Sequence, residues 1–339
     1  MITVSVCMIV KNEEKNLREC VECLQGFYDE LVIVDTGSTD TTKEIAKDLG
    51  ANVYDFSWKN DFAAARNFAF SKASCDYIYS ADADERIDAA NRVQMKALKE
   101  VLDPDVDLVQ MWYKGQLAHE SVYNFDRELR PKLFKRVRSF VWEGAVHEQV
   151  RTQALTFDSD IEILHKPSSS HAARDLRYFR DMLSRGEEMT PRLYDMYARE
   201  LCKAGTDEDF ALARAFFAEA SEDTTRSQDE IRQAFFVLAR HARRTGDRES
   251  FFKYALRDLA CGATAEMCCE LGSYFKQTGD IRESMMWYYN AAYEAEALLD
   301  IRCKGLIPFA ELRDGYRALG DEEQAAVYEK AGKDWLETC

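Results

Sequence analysis

Two carboxylates one residue apart, Asp82 and Asp84, stand out as groups that could do chemistry. In a loop, aspartates at i and i+2 can turn toward a hard divalent cation such as Mg²⁺ or Mn²⁺, which prefers oxygen ligands. Such a cation can neutralise a diphosphate leaving group. The spacing alone is weak, because Asp103/Asp105, Asp105/Asp107, Asp158/Asp160 and Asp207/Asp209 share it. Position separates the first pair: it follows directly on a short apolar run, Tyr77-Ile78-Tyr79, whereas the others lie in turn-like segments.

That run is one of four strands expected in the N-terminal half. Val4 to Val10 is an apolar stretch broken only by Ser5, as in a strand covered on both faces. Leu31 to Val34, ending at Asp35, and Val53 to Phe56 follow. Helical periodicity lies between them: Leu17, Cys20, Val21 and Leu24, then Thr42 to Leu49, then Ala63 to Lys72. Strands alternating with helices imply a parallel α/β sheet of the Rossmann-like kind, which binds ligands beyond the carboxyl ends of its strands. Asp35 and Asp82/Asp84 fall at those ends. Neither a G-x-G-x-x-G after the first strand nor a G-x-x-x-x-G-K-[ST] is present, which disfavours a dinucleotide dehydrogenase or a P-loop NTPase. After Glu85, the stretches Leu108 to Lys114, Leu133-Phe134, Phe140 to Val150 and Ile161 to His165 read as a mixed sheet, and Pro167 to Ser170 as a linker.

The 339 residues suit two domains. With 61 acidic against 45 basic residues and a net charge of −16, the chain lacks the basic face of a nucleic-acid binder. No segment approaches the roughly 20 apolar residues of a membrane span, and the apolar start runs into Lys11-Asn12-Glu13-Glu14 without a cleavage site. Ten scattered cysteines then point to a reducing cytoplasm and free thiols. Cys20-x-x-Cys23 has no second ligand pair and lies inside a helical pattern, so it reads as packing.

From about His171 onward strand patterns vanish. Gly-Asp phrases at Ala204 to Asp207, Thr245 to Asp247, Thr278 to Asp280 and Leu319 to Asp321 each separate two apolar-aromatic helices. The glycine would end the first helix and the aspartate cap the second. The intervals are near the about 34 residues of tetratricopeptide repeats, so residues 171–339 are expected to be an all-α, tetratricopeptide-like domain. Its aromatics (Phe216, Phe217, Phe251, Phe252, Trp287, Tyr288, Tyr289 and Tyr293) read first as repeat core, as do Met267, Met285 and Met286.

Five segments in order, VCMIVKNEE (6–14), LVIVDTGSTDTT (31–42), DFAAARN (61–67), ADADE (81–85) and VWEGAVHE (141–148), resemble the family 2 glycosyltransferases with the GT-A fold. The last segment narrows the likeness to a bacterial subgroup in which this domain, here residues 1–166, precedes tetratricopeptide-like repeats. That subgroup includes lipopolysaccharide-type glucosyltransferases and peptide S-glycosyltransferases. The resemblance implies an inverting hexosyltransferase that takes a nucleotide sugar, most often UDP-linked, with Mn²⁺ or Mg²⁺ as cofactor. On that basis Val10, Asn12, Glu13 and Asp35 would hold the nucleobase, with a helix or turn cap as the alternative, less favoured reading of Asp35. Asp61 and Arg66 would line the sugar-nucleotide pocket. Asp82, Ala83 and Asp84 would meet ribose and metal, with His147 or His165 completing the coordination. Glu148, or else Glu143 or Glu85, would be the general base, and Trp142 a stacking face for the acceptor or a core residue. Ser80-Ala81 and Lys166-Pro167 depart from the subgroup's pattern, the latter weakening His165 as a ligand. The acceptor is expected to be a peptide or protein, with a saccharide as the alternative. A homodimer through the repeats and an inactive repeat-domain adaptor are the further readings.

Overall fold

The computed structural model describes residues 1–114, 127–145, 148–150, 152–166 and 172–338. They fall into two compact units, one up to residue 166 and one from residue 172. Pro167 to Ser170, expected as a linker, lies outside the described residues.

The first unit is built on an eight-stranded mixed sheet. Its strands are β1 (Val4–Val10), β2 (Glu30–Asp35), β3 (Asn52–Asp55), β4 (Tyr77–Ala81), β5 (Glu85–Arg86), β6 (Leu108–Lys114), β7 (Arg127–Lys135) and β10 (Thr156–His165), in the spatial order β3-β2-β1-β4-β7-β6-β10-β5. The short strands β8 (Trp142–Glu143) and β9 (Gln149–Val150) form a separate antiparallel pair. β1 pairs in parallel with β2 on one side and with β4 on the other, whereas β7 joins β4 antiparallel. The chain therefore winds outward from β1 in both directions. The resulting crevice lies beyond the carboxyl ends of β1 and β4, at Val10 and Ala81.

β1 explains why this centre is fixed. Val4, Val6, Met8 and Val10 point to one face and join a core with Leu17, Cys20 and Val21 of α1 (Leu17–Cys23) and Met95 and Leu98 of α4 (Ala89–Val101). Cys7 points to the other face and joins Val32, Val34, Phe134 and Trp142 against α3 (Phe62–Phe70). Ala63, Ala65 and Ala69 bring α3 close to the sheet; all three are buried. Asp61 caps α3 by accepting from the Ala64 amide at 2.9 Å. The expected helices are otherwise present, with α2 at Thr42–Asp48. α4 was not expected: only Met95 and Leu98 carry its apolar face, and Asp88 marks its start as the cap.

The second unit is helical: α5 (Ala172–Ser184), α6 (Pro191–Ala204), α7 (Asp207–Ala220), α8 (Gln228–Thr245), α9 (Arg248–Ala260), α10 (Ala265–Gln277), α11 (Ile281–Tyr293), α12 (Leu306–Ala318) and α13 (Glu322–Thr338). Gly246, Gly279 and Gly320 adopt the left-handed conformation that ends a helix. Gly205 does not; a Cβ there would meet the Leu201 carbonyl oxygen at 2.7 Å, so its smallness serves close packing. Asp247 and Asp280 cap the following helices, whereas at the first repeat Thr206 is the cap and Asp209 closes the capping box. Phe217, Phe251, Tyr288, Met267 and Met285 are core residues, but Met286, Tyr289 and Tyr293 are exposed, so the aromatic set divides between core and surface.

Glu200 on α6 is buried beside Asp175 of α5. Burial, then the Asp175 charge, push its carboxyl from an ordinary 4.5 up to about 8. The folded chain thus keeps a proton that the unfolded chain releases. Stability is fullest below the ordinary value and is lost as pH rises through about 8. Glu200→Gln should flatten this dependence and melt several degrees above wild type in alkaline buffer, while matching it in acid. Thermal melts across the window test this.

Candidate active site

Arg66 is the centre of the site. It projects from the middle of α3, with its side chain 13% exposed. Its Nη2 donates to Asp82 Oδ1 at 2.8 Å, its Nε to Glu148 Oε1 at 2.5 Å, and its Nη1 to Ser80 Oγ at 3.2 Å. Burial works against its charge, but Asp82 and Glu148 outweigh it and hold the guanidinium protonated more firmly than usual. Asp82 shows the reciprocal effect: burial alone would raise its carboxyl, yet Arg66 and then Lys132 bring it below the ordinary value.

Trp142 is 9% exposed and packs with Phe70 and Phe134, their ring centroids 5.8 and 5.7 Å away. Arg66 lies 5.1 Å from its centroid. This ring is a floor beneath the guanidinium in the aromatic core. Asn67 fixes it from α3, accepting from the Trp142 amide at 2.8 Å and donating to the Trp142 carbonyl at 2.9 Å. The Phe62 amide donates to Ala145 O at 2.9 Å. One helix thus carries both Arg66 and the clamp on the segment bearing Glu143 and Glu148. Glu143 is exposed on β8, and Glu148 is the partner of Arg66. His147 lies outside the described residues.

β4 delivers Asp82, Ala83, Asp84 and Glu85. Ala83 is buried, and its carbonyl accepts from Arg86 Nη1 at 2.8 Å. Asp84 Oδ2 lies 3.3 Å from His165 Nε2, and its backbone oxygen accepts from the Lys166 amide at 2.8 Å. β10 therefore closes on the acidic loop despite the unusual Lys166-Pro167. Glu85 pairs with Lys132 of β7 at 2.7 Å, both nearly fully buried. Burial raises the Glu85 carboxyl, and Lys132 only partly offsets this.

At the other lip, the loops after β1 and β2 are laced together. Asn12 adopts a left-handed conformation; its amide donates to Ser38 Oγ at 2.9 Å, and its Oδ1 accepts from the Thr39 amide at 2.8 Å. The Glu13 amide donates to Thr42 Oγ1 at 2.8 Å. The Val10 carbonyl accepts from the Thr36 amide at 2.9 Å. Asp35 Oδ1 accepts from the amides of Gly37 and Ser38, whereas its buried Oδ2 has no hydrogen-bond partner among the described residues. One carboxylate thus caps the turn through one oxygen and keeps the other buried beside it. Asp61 sits at the start of α3 as its cap.

The acidic loop and its neighbours fit a divalent cation by charge. Asp82 and Glu148 pair with Arg66 and Glu85 with Lys132, while Asp84 lies against His165, so the four carboxylates outnumber the two cations that pair with them. Asp84 and His165 supply oxygen and nitrogen donors. Among the described residues no three His, Cys, Asp or Glu side chains cluster closely enough to hold an ion. Lys132 and Asn67 carried no assigned role in the sequence reading. The signal for Lys132 was a lysine abutting the apolar Leu133-Phe134 of a central strand.

The strand order, with an acidic loop at the switch point, defines a GT-A type domain. The family model "Glycosyl transferase family 2" matches residues 5–164, just under half of the chain. A TPR repeat-containing protein of Synechococcus elongatus is 44% identical over 87 residues, covering 26% of this chain and 22% of that one. The SPbeta prophage-derived glycosyltransferase SunS of Bacillus subtilis is 27% identical over 222 residues, covering 61% of this chain and 51% of that one. The chain thus spans about half or less of the length of these relatives. A glucosyl-3-phosphoglycerate synthase from Mycobacterium tuberculosis, solved with Mn²⁺, UDP and glucosyl-3-phosphoglycerate, shares 17% identity at a TM-score of 0.40. The match covers 55% of this chain and 81% of that one, a likeness too distant to transfer a ligand.

Arg66→Met leaves Asp82 and Glu148 without their shared cation. It should cost about 3 kcal/mol or more in urea unfolding. Arg66→Lys should recover only part of this, because an ammonium cannot span three acceptors in the planar arrangement of a guanidinium.

Proposed function

We propose that the chain is an inverting, metal-dependent glycosyltransferase that moves a hexose or N-acetylhexosamine from a UDP-sugar to a peptide or protein. The observation that carries this reading is the group of carboxylates Asp82, Asp84, Glu85 and Glu148 at the carboxyl end of β4, in a stretch that the family 2 model matches. Asp84 and His165, 3.3 Å apart, would supply two ligands to Mn²⁺ or Mg²⁺, which when bound would neutralise a departing diphosphate, and Asp82 would meet the ribose. The free oxygen of Asp35 would accept from a uracil N–H, as the laced loops at Asn12 and Ser38 hold the base edge. Arg66 would keep Asp82 ionised and aimed into the crevice. Glu148, within reach of the same guanidinium, would take the acceptor proton, with exposed Glu143 as the second candidate. The helical unit supports a peptide acceptor, since such arrays hold extended chains. No helix among the described residues is long and apolar enough to cross a membrane, and a cytoplasmic site of action goes with the free thiols. Self-association would run through the helical unit.

Calorimetric titration with UDP, GDP and CMP, with and without Mn²⁺, tests the donor site. UDP should bind in a Mn²⁺-dependent manner, and Asp84→Ala should weaken it at least about tenfold. A folded protein that binds no nucleotide would overturn the reading. With binding in hand, Glu148→Gln should abolish transfer to peptide acceptors and Glu143→Gln should not; the reverse result would move the base to Glu143.

A further inference from the structure

Cys20 and Cys23 sit three residues apart on α1, on one side of the helix. Cys20 is 1% exposed, and its Sγ donates to the Asp82 carbonyl oxygen at 3.2 Å. The same carbonyl accepts from the Glu85 amide at 3.1 Å, so it is the pivot of the acidic loop. Cys23 donates to the Cys20 carbonyl at 2.9 Å and lines a cavity of about 480 Å³. Arg86, Arg92, Lys114 and Lys166 also line that cavity, with Glu22 among the acids between them. Leu164 and Lys166 line it while the intervening His165 faces Asp84, so it opens on the opposite side of β10 from the acidic loop. The Cys20 thiol, by turning its one proton from Asp82 toward Cys23, favours the Cys23 thiolate against the effect of burial, and the Ile87 amide and Arg86 add to this. Cys20 is shifted the opposite way, by that same hydrogen bond and by burial.

We propose that Cys20 and Cys23 form an oxidisable pair, addressed by a small carboxylate-bearing disulfide in this cavity, and that closing their disulfide detaches α1 from the acidic loop. The Cys23 thiolate attacks one sulfur of the small disulfide, forming a mixed disulfide and releasing one thiolate. Cys20 then loses its proton and attacks the Cys23 sulfur, forming the internal bond and expelling the second thiolate. Two protein thiols are oxidised, one small disulfide is reduced, and the two protons leave on the two small thiols. Arg86 already pairs with Glu19 at 3.0 Å and Lys114 with Glu162 at 2.6 Å, so Arg92 and Lys166 are the cations that suit the carboxylates of such a molecule, and Glu22 and Asp88 suit its ammonium. Residues three apart on a helix have Cβ atoms about 5–6 Å apart, and a disulfide needs about 4 Å. Cys23 is the last residue of α1, so the final turn can tighten to supply the difference. Once bridged, Cys20 has no S–H to donate to Asp82.

The test treats the reduced chain with oxidised glutathione and maps the cysteines by peptide mass. Wild type should lose two hydrogens at Cys20 and Cys23, reversibly with dithiothreitol. Cys20→Ser should trap glutathione on Cys23, and Cys23→Ser should leave Cys20 reduced. Amide exchange at Glu85 should rise about fivefold on oxidation of wild type and stay unchanged in Cys23→Ser, the scale of one lost hydrogen bond. Modification confined to exposed Cys261, with Cys20 and Cys23 still reduced, would overturn the pair. A disulfide without change at Glu85 would overturn the link to the acidic loop. Neither readout involves a nucleotide, so they decide the matter whether or not the chain proves to be a transferase.

Discussion

A guanidinium held almost out of water between two carboxylates is the constraint on which the sheet unit depends. Neither the charge of Arg66 nor those of Asp82 and Glu148 could be buried alone, because an unpaired ion in such a place costs several kcal/mol. Together they fasten three separate pieces of chain: the helix after β3, the loop after β4, and the segment following β8. The surrounding choices follow from this. Alanines let α3 approach the sheet, Asp61 starts the helix at the right place, and Asn67 secures Trp142 beneath the cation.

A second buried pair, Glu85 with Lys132, lies directly behind the first. The two pairs divide the labour. Arg66 orients the outward carboxylate Asp82, while Lys132 pins Glu85 inward and anchors the strand turn that leaves Asp84 facing His165. Burial and then Asp84 work against the charge of Asp82, and Arg66 and Lys132 offset this and hold Asp82 below the ordinary carboxylate range. A polar centre of this kind must be fully satisfied to be tolerated in a low-dielectric interior.

Much of this was legible in the amino-acid order, and the reason is periodicity. β1 reads as an apolar run broken only by Ser5 because both its faces are covered, and the acidic motif follows β4 where a parallel sheet places ligands. The repeats were visible through Gly246, Gly279 and Gly320, which need a conformation that other residues resist. What was hidden lay in side chains whose partners are distant in sequence. Lys132 meets Glu85 across 47 residues, and Asn67 meets Trp142 across 75. Helix α4 was obscured because its buried face includes Asn91 and Lys99, polar residues that carry no apolar period. Gly205 looked like its counterparts but serves close packing instead, a distinction that only the neighbouring Leu201 and Phe210 reveal.

The loops after β1 and β2 hold one more consequence. Asn12 answers Ser38 and Thr39, Glu13 answers Thr42, and Glu14 answers Thr41, so neither loop waits for a ligand to become ordered. The conformational entropy of that rim is spent when the chain folds. A molecule arriving there meets a preformed edge and loses only its own freedom, so even a modest number of contacts can hold it.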